Sequence, residues 1–245
     1  VKLEELQSNW DRFALTDPLW SICTEPGKRG NRWDPQEFFR TGEVEVALLL
    51  DRARDLGVDE VGGSALDFGC GVGRLTLALC ERFDEVCGVD ISPSMIEIAE
   101  GFNLYPDKCR YVVNSAPDLE MFEDARFDFI CTSITLQHMD PDAAKGYLRE
   151  FVRLLKPGGL LVFQVPDSPD MRYLGNRLRR VAPGFALRIY RALRYGRKRP
   201  RMEMHEIPRS EVTDLMGECG ARVLDVVKDD SARQWISYRY YVTRD

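Results

Sequence analysis

The run SALDFGCGVGRLTLALCERF, residues 64–83, constrains the fold more than any other stretch of the chain. A short apolar segment passes through Gly69, Gly71 and Gly73 directly into an amphipathic helical pattern. A glycine-rich turn from strand to helix lets a ligand approach the backbone closely. The same alternation continues on both sides of the run. GEVEVALLLDRARDLG reads as a helix before it, with Val44, Leu48 and Leu56 on the buried side and Gly57 ending it. After it come the strand EVCGVDI, the helix SPSMIEIAEGF with Ser92 as cap and Pro93 at its opening, and the strand CRYVVNS. A short turn or helix at APDLEMF, the strand FDFICTSIT, the helix DPDAAKGYLREFVRLL behind Asp140, a KPGG turn and the strand LLVFQVP follow. The chain closes with a helix at RSEVTDLMGECG and two apolar-rich strands, ARVLDVV and WISYRYYVTR, which read as an antiparallel pair.

Strands alternating with helices of this length predict an α/β fold, a doubly wound, Rossmann-like, seven-stranded and mainly parallel sheet covered on both faces. Residues 1–43, rich in aromatics and turn formers, form a helical cap. Residues 44–167 and 202–245 form the core, and 168–201 a basic helical insert after the fifth strand. That insert carries eleven basic residues against Asp170 alone, a net of +10, so with −6 overall the remainder carries −16. Within it, Met171, Leu174, Leu178 and Val181 fall on one helical side, and a second helix follows beyond Pro183.

Composition excludes several classes. No apolar run approaches the roughly 20 residues that cross a bilayer, and the polar start VKLEELQSNWDRF lacks the apolar centre of a secretory signal. The seven cysteines form no C-x-x-C pair or regular spacing, which reads as reduced thiols in a cytoplasmic protein without a structural metal.

The glycine spacing discriminates between ligands. A dinucleotide turn has the form G-x-G-x-x-G, yet the sixth position is Arg74 counted from Gly69 and Thr76 counted from Gly71. Asp67, closing the strand before the turn, is unfavourable beside a pyrophosphate and favourable beside a cation. No phosphate-loop motif is present. The ligand that fits carries an ammonium group and a nucleoside without phosphates.

LDFGCGVGRLT, with VCGVDISPSMIEIAE, FDFICTSITLQHM and LLKPGGLLVFQVP, resembles the class I S-adenosylmethionine-dependent methyltransferases over residues 44–167. The resemblance implies S-adenosylmethionine as cofactor and S-adenosylhomocysteine as product. It places Asp67, Gly69, Cys70, Gly71 and Gly73 at the methionine end. Asp90, 23 residues after Asp67, would accept from the ribose hydroxyls, with Ile91 and Met95 as apolar contacts. Asn114, Ser115 and Ala116 fall where the family recognises adenine, Ser115 standing where an Asp is frequent. Ser133 and Ile134 would face the reaction centre.

Methyl transfer from a sulfonium is an in-line displacement that needs no metal, and orienting the reactants is a large part of its catalysis. A hydroxyl acceptor profits from a general base, for which His138 and His205 are the candidates and Asp167 a third. Trp10, Trp20, Trp33, Phe38 and Phe39 offer a cap that excludes water. The function so expected is methylation, on oxygen, of a small molecule or glycan. The basic insert fits three uses: peripheral contact with an anionic inner-membrane surface and a lipid-linked acceptor, a grip on a soluble anionic acceptor, or a solvated lid. Nucleic acid does not fit, because the remainder of the chain is strongly acidic. The competing readings are a nicotinamide-dependent oxidoreductase and a non-catalytic cofactor-binding scaffold docked through the insert.

Overall fold

The computed structural model describes residues 3–58, 62–181 and 202–245. Its centre is a seven-stranded sheet in the order β3-β2-β1-β4-β5-β7-β6. The strands are β1 (Ser64–Phe68), β2 (Glu85–Asp90), β3 (Cys109–Val113), β4 (Phe127–Thr132), β5 (Leu155–Pro169), β6 (Ala221–Asp229) and β7 (Trp235–Arg244). β1 to β5 run parallel, and β7 pairs antiparallel with both β5 and β6. The doubly wound, mainly parallel architecture expected from the alternating pattern, with its antiparallel final pair, is the one observed.

Strand residues sort by parity, as a sheet buried on both sides requires. Leu66, Phe68, Ile130, Leu161, Phe163 and Tyr240 join one apolar cluster with Tyr147 and Phe151. Their sequence neighbours Ala65, Phe129, Leu160, Val162 and Tyr241 join the cluster on the opposite face with Leu49 and Leu79.

The helices are α1 (Leu3–Thr16), α2 (Pro18–Ile22), α3 (Pro35–Asp55), α4 (Arg74–Cys80), α5 (Pro93–Phe102), α6 (Pro141–Leu154), α7 (Leu174–Val181) and α8 (Arg209–Glu218). Two expected caps form: the Ser92 side chain accepts from the Met95 N–H, and Asp140 accepts from the Asp142 N–H. Asp167 caps a further helix, its Oδ1 accepting from the Arg209 N–H at 2.7 Å.

α3 departs from expectation. It begins at Pro35, with Asp34 accepting from the Glu37 N–H, and therefore runs across the 43/44 boundary. Its buried stripe is Phe38, Gly42, Val46, Leu49 and Ala53, whereas Val44 and Leu48 are 54% and 63% exposed and Leu56 is only half-buried. Gly42 explains the rotation. A Cβ there would lie 2.1 Å from the Arg74 carbonyl oxygen, so α3 and α4 approach each other through that glycine, which turns Val44 and Leu48 outward.

At APDLEMF, expected as a short turn or helix, a turn forms. A smaller difference concerns the turn after α6. The KPGG segment is carried inside β5 as an irregularity, Phe127 pairing with Leu155 and Phe129 with Leu160. Of the expected insert, α7 is present, while Met171 precedes it and Leu174 is exposed. The second insert helix and most of the arginines fall on residues 182–201, outside the described residues.

Candidate active site

The ends of β1, β2, β3 and β4 open into one pocket beneath the cap. Pockets at this end of an open α/β sheet, at the point where strand order reverses, are where such folds bind ligands. Here the reversal lies between β1 and β4.

The floor is the glycine turn. Gly69, Gly71 and Gly73 all have positive φ, at 74°, 54° and 86°. Each also meets protein closely: a Cβ would lie 2.2 Å from Thr135 at Gly69, 2.5 Å from Ile22 at Gly71 and 2.3 Å from the Tyr111 hydroxyl at Gly73. Backbone conformation and packing therefore both demand glycine, so openness to a ligand is not its sole reason. Gly69 and Gly71 line the pocket, while Gly73 heads α4 and Cys70 is buried beside the turn, neither of them in the lining.

Asp67 is 2% exposed and stands behind the turn, outside the pocket lining. The Thr76 hydroxyl donates to its Oδ2 at 2.7 Å, and the Cys131 thiol lies 3.9 Å from Oδ1. Burial pushes its carboxyl up to about 6, against the opposing pull of Thr76 and of Arg74.

Asp90 stands in the lining itself. Gly71 N–H donates to its Oδ2 and Ser92 N–H to its Oδ1, each at 2.9 Å. Burial raises its pKa, and these N–H donors oppose the rise. Each carboxylate oxygen keeps a lone pair, so the group is fixed in direction and still able to accept from a vicinal diol. Ile91 and Met95 line the pocket beside it.

Asn114 lines the pocket, but its amide is consumed locally, donating to Asp118 O at 2.9 Å and accepting from Ala116 N–H at 3.1 Å. It shapes the turn that follows β3. Ser115 is exposed, and neither it nor Ala116 reaches the lining. Ser133 and Ile134 both do.

His138 is buried in the pocket wall, with the Trp10 ring edge-on at 5.3 Å. Its Nδ1 lies 2.6 Å from Glu203 O, an acceptor only, so that nitrogen carries the proton. Its Nε2 then accepts from the Gln137 amide at 3.2 Å. Burial lowers its pKa to about 4. The ring is neutral with both nitrogens engaged, and it ties residues 203–205 to the pocket. His205 lies outside the lining, its Nε2 buried and without a partner.

Several lining residues had no signal in the sequence pattern. Arg74, 4% exposed, donates to Glu45 Oε2 at 2.7 Å, and its Nε has no partner. Against the push of burial, Arg74 and Arg239 hold the Glu45 carboxyl down at about 2. Leu6 and Trp10 of α1 form the roof, fastened by Gln7 donating to Ile91 O at 3.0 Å and by Asp11 accepting from Ser92 and Ser94. Of the other aromatics expected in the cap, Trp33 and Phe38 bury within it against Val72 and Met95 of the core, while Trp20 and Phe39 pack on that cluster's edge.

Comparison with known proteins agrees with this architecture. Residues 65–159 match the family described as a methyltransferase domain. The demethylmenaquinone methyltransferase of Staphylococcus aureus is 34% identical over 121 residues, 48% of this chain and 48% of that protein. The chain thus spans about half the length of the curated relatives it matches. Among solved structures, the magnesium protoporphyrin IX methyltransferase of Synechocystis PCC 6803 with bound S-adenosylhomocysteine superposes with a TM-score of 0.66 at 16% identity, covering 99% of both chains. The geranyl diphosphate C-methyltransferase of Streptomyces coelicolor A3(2) gives 0.61 at 15% identity, covering 99% of this chain and 97% of that one. The fold is the one these S-adenosylmethionine-dependent methyltransferases share, and residues 65–159 match the methyltransferase domain family.

Proposed function

We propose that this protein transfers a methyl group from S-adenosylmethionine to a small molecule with an apolar body and an acidic hydroxyl. The observation that carries the reading is Asp90, an oriented carboxylate opening into a pocket whose other wall is the glycine turn. When bound, the cofactor supplies a methyl group made electrophilic by the neighbouring sulfonium. Asp90 holds the ribose, the charge of Asp67 behind the turn favours the ammonium group, and Arg74 offers its unpartnered Nε to the carboxylate. Trp10, Leu6 and Ile22 exclude water and leave an apolar surface for the acceptor.

Support for an acidic hydroxyl comes from His138 and Tyr147 in the lining. His138 has no free lone pair, and the Tyr147 hydroxyl donates to Ala116 O with its pKa pushed up to about 12, chiefly by burial. An acceptor that ionises by itself needs orientation more than a base. Supporting this reading, residues 182–201 contain no histidine or carboxylate. Incubating the protein and methyl-labelled cofactor with cell extract tests the assignment: label is expected in organic-extractable phenolic or enolic compounds, and label confined to protein or nucleic acid contradicts it. His138→Gln is expected to lower stability by about 1–2 kcal/mol, the worth of two buried hydrogen bonds, while the pH–rate profile with that extract keeps its shape. An acidic limb that vanishes on substitution would instead make His138 the base.

The arginine-rich segment 168–201 is proposed to contact anionic surfaces, which cosedimentation with phosphatidylglycerol vesicles at low and high salt examines.

A further inference from the structure

We propose that Gln164 is a positioning residue of the methyl-transfer pocket, acting through Ile134. The inference rests on the proposed function, since it concerns the shape of the same pocket.

Ile134 lines the pocket at φ +59°, in the left-handed region that a β-branched side chain strongly disfavours. Such a conformation is strained and persists only where its surroundings enforce it. The enforcing contact is visible: Ile134 N–H donates to Gln164 Oε1 at 3.2 Å, and Gln164 on β5 is 1% exposed.

Its neighbours leave that amide one orientation. Gln164 Nε2 faces two acceptors, Ser237 Oγ and Gln137 Oε1, and the Ser237 hydroxyl spends its own proton on Val165 O at 3.1 Å. Oε1 must therefore face Ile134. Gln137 is fixed in turn, because its oxygen accepts from Gln164 and its nitrogen must donate to His138, which then donates to Glu203 O. Each link of this chain pairs a donor with an acceptor, from Ser237 on β7 through the pocket wall to Glu203. Satisfied buried networks of this kind are rigid.

The consequence falls on the wall that packs against the glycine turn. Thr135 follows Ile134 directly and occupies the space that a side chain at Gly69 would need. Releasing Ile134 to an ordinary φ moves Ser133 and Thr135 with it, and with them one side of the cofactor cleft. Gln164 touches no ligand itself, being absent from the lining.

A double-mutant cycle read by calorimetry with S-adenosylhomocysteine tests this. Gln164→Met removes the clamp at similar volume, and Ile134→Gly removes the need for one, since glycine adopts positive φ freely. In the Ile134 background Gln164→Met is expected to weaken binding about tenfold, which is one hydrogen bond's worth, and in the Ile134→Gly background less than about threefold. Should Gln164→Met alone not fold, the double variant is expected to fold and bind. Equal losses in both backgrounds, no loss in either, or a double variant no better than the single one overturns the proposal. Failure of the unaltered protein to bind S-adenosylhomocysteine overturns the proposed function instead.

Discussion

Replacing Asp67 by Asn is expected to stabilise the ligand-free protein and at the same time to weaken its hold on S-adenosylhomocysteine. The carboxyl is almost wholly buried with Thr76 as its one strong donor, and burial raises its pKa to about 6. An acid whose folded pKa lies above its unfolded value keeps a proton that the unfolded chain has lost. Its folded state is therefore favoured most at low pH, loses ground as pH rises from about 4 to about 6, and stays disadvantaged above that. The shift from 3.8 to about 6 corresponds to at most about 3 kcal/mol. Urea unfolding should show Asp67→Asn more stable at pH 8 by a large part of that amount, with little difference at pH 4. Binding should move the other way, by about tenfold or more, because the charge that burdens the empty fold is the one that attracts an ammonium group. A variant that gains stability and keeps its affinity would remove Asp67 from the cofactor's environment.

Asp90→Ala should have the larger effect on binding. The carboxylate organises Gly71 N–H and Ser92 N–H and still presents lone pairs to the pocket. Truncation removes two charge-assisted hydrogen bonds to the ribose, each worth roughly 1.5–3 kcal/mol, and leaves two backbone donors without their acceptor. Affinity for S-adenosylhomocysteine is expected to fall about 100-fold or more. Asp90→Asn keeps an acceptor oxygen and should fall between the two. Affinity within a few-fold of the native value for the alanine variant, measured by calorimetry, contradicts the ribose assignment.

What the sequence made legible was governed by local chemistry. The turn at 69–73 demanded positive φ, Ser92 and Asp140 were well placed as caps, and strand–helix alternation implied the parallel sheet. The misreading of α3 arose from tertiary packing. Val44 and Leu48 fit an apolar stripe, but the contact between Gly42 and the Arg74 carbonyl set which stripe turned inward. At the site, Asp90, Ile91, Met95, Ser133 and Ile134 reach the pocket because they end parallel strands or begin the helix behind one. Ser115 and Ala116 do not, since Asn114 folds the chain back with its own amide. Arg74, Gln7 and Asp11 escaped notice because their partners lie 29 or more residues away in sequence, where neither periodicity nor spacing carries a signal. The histidine was visible as a residue type, but its tautomer depends on a carbonyl 65 positions later.

The most direct measurement is calorimetric titration of the unaltered protein with S-adenosylhomocysteine and, separately, with NAD⁺. One binding site for the thioether nucleoside and none for the dinucleotide is the result expected of a glycine turn backed by Asp67 and faced by Asp90. Saturable binding of NAD⁺ with none of S-adenosylhomocysteine would contradict it.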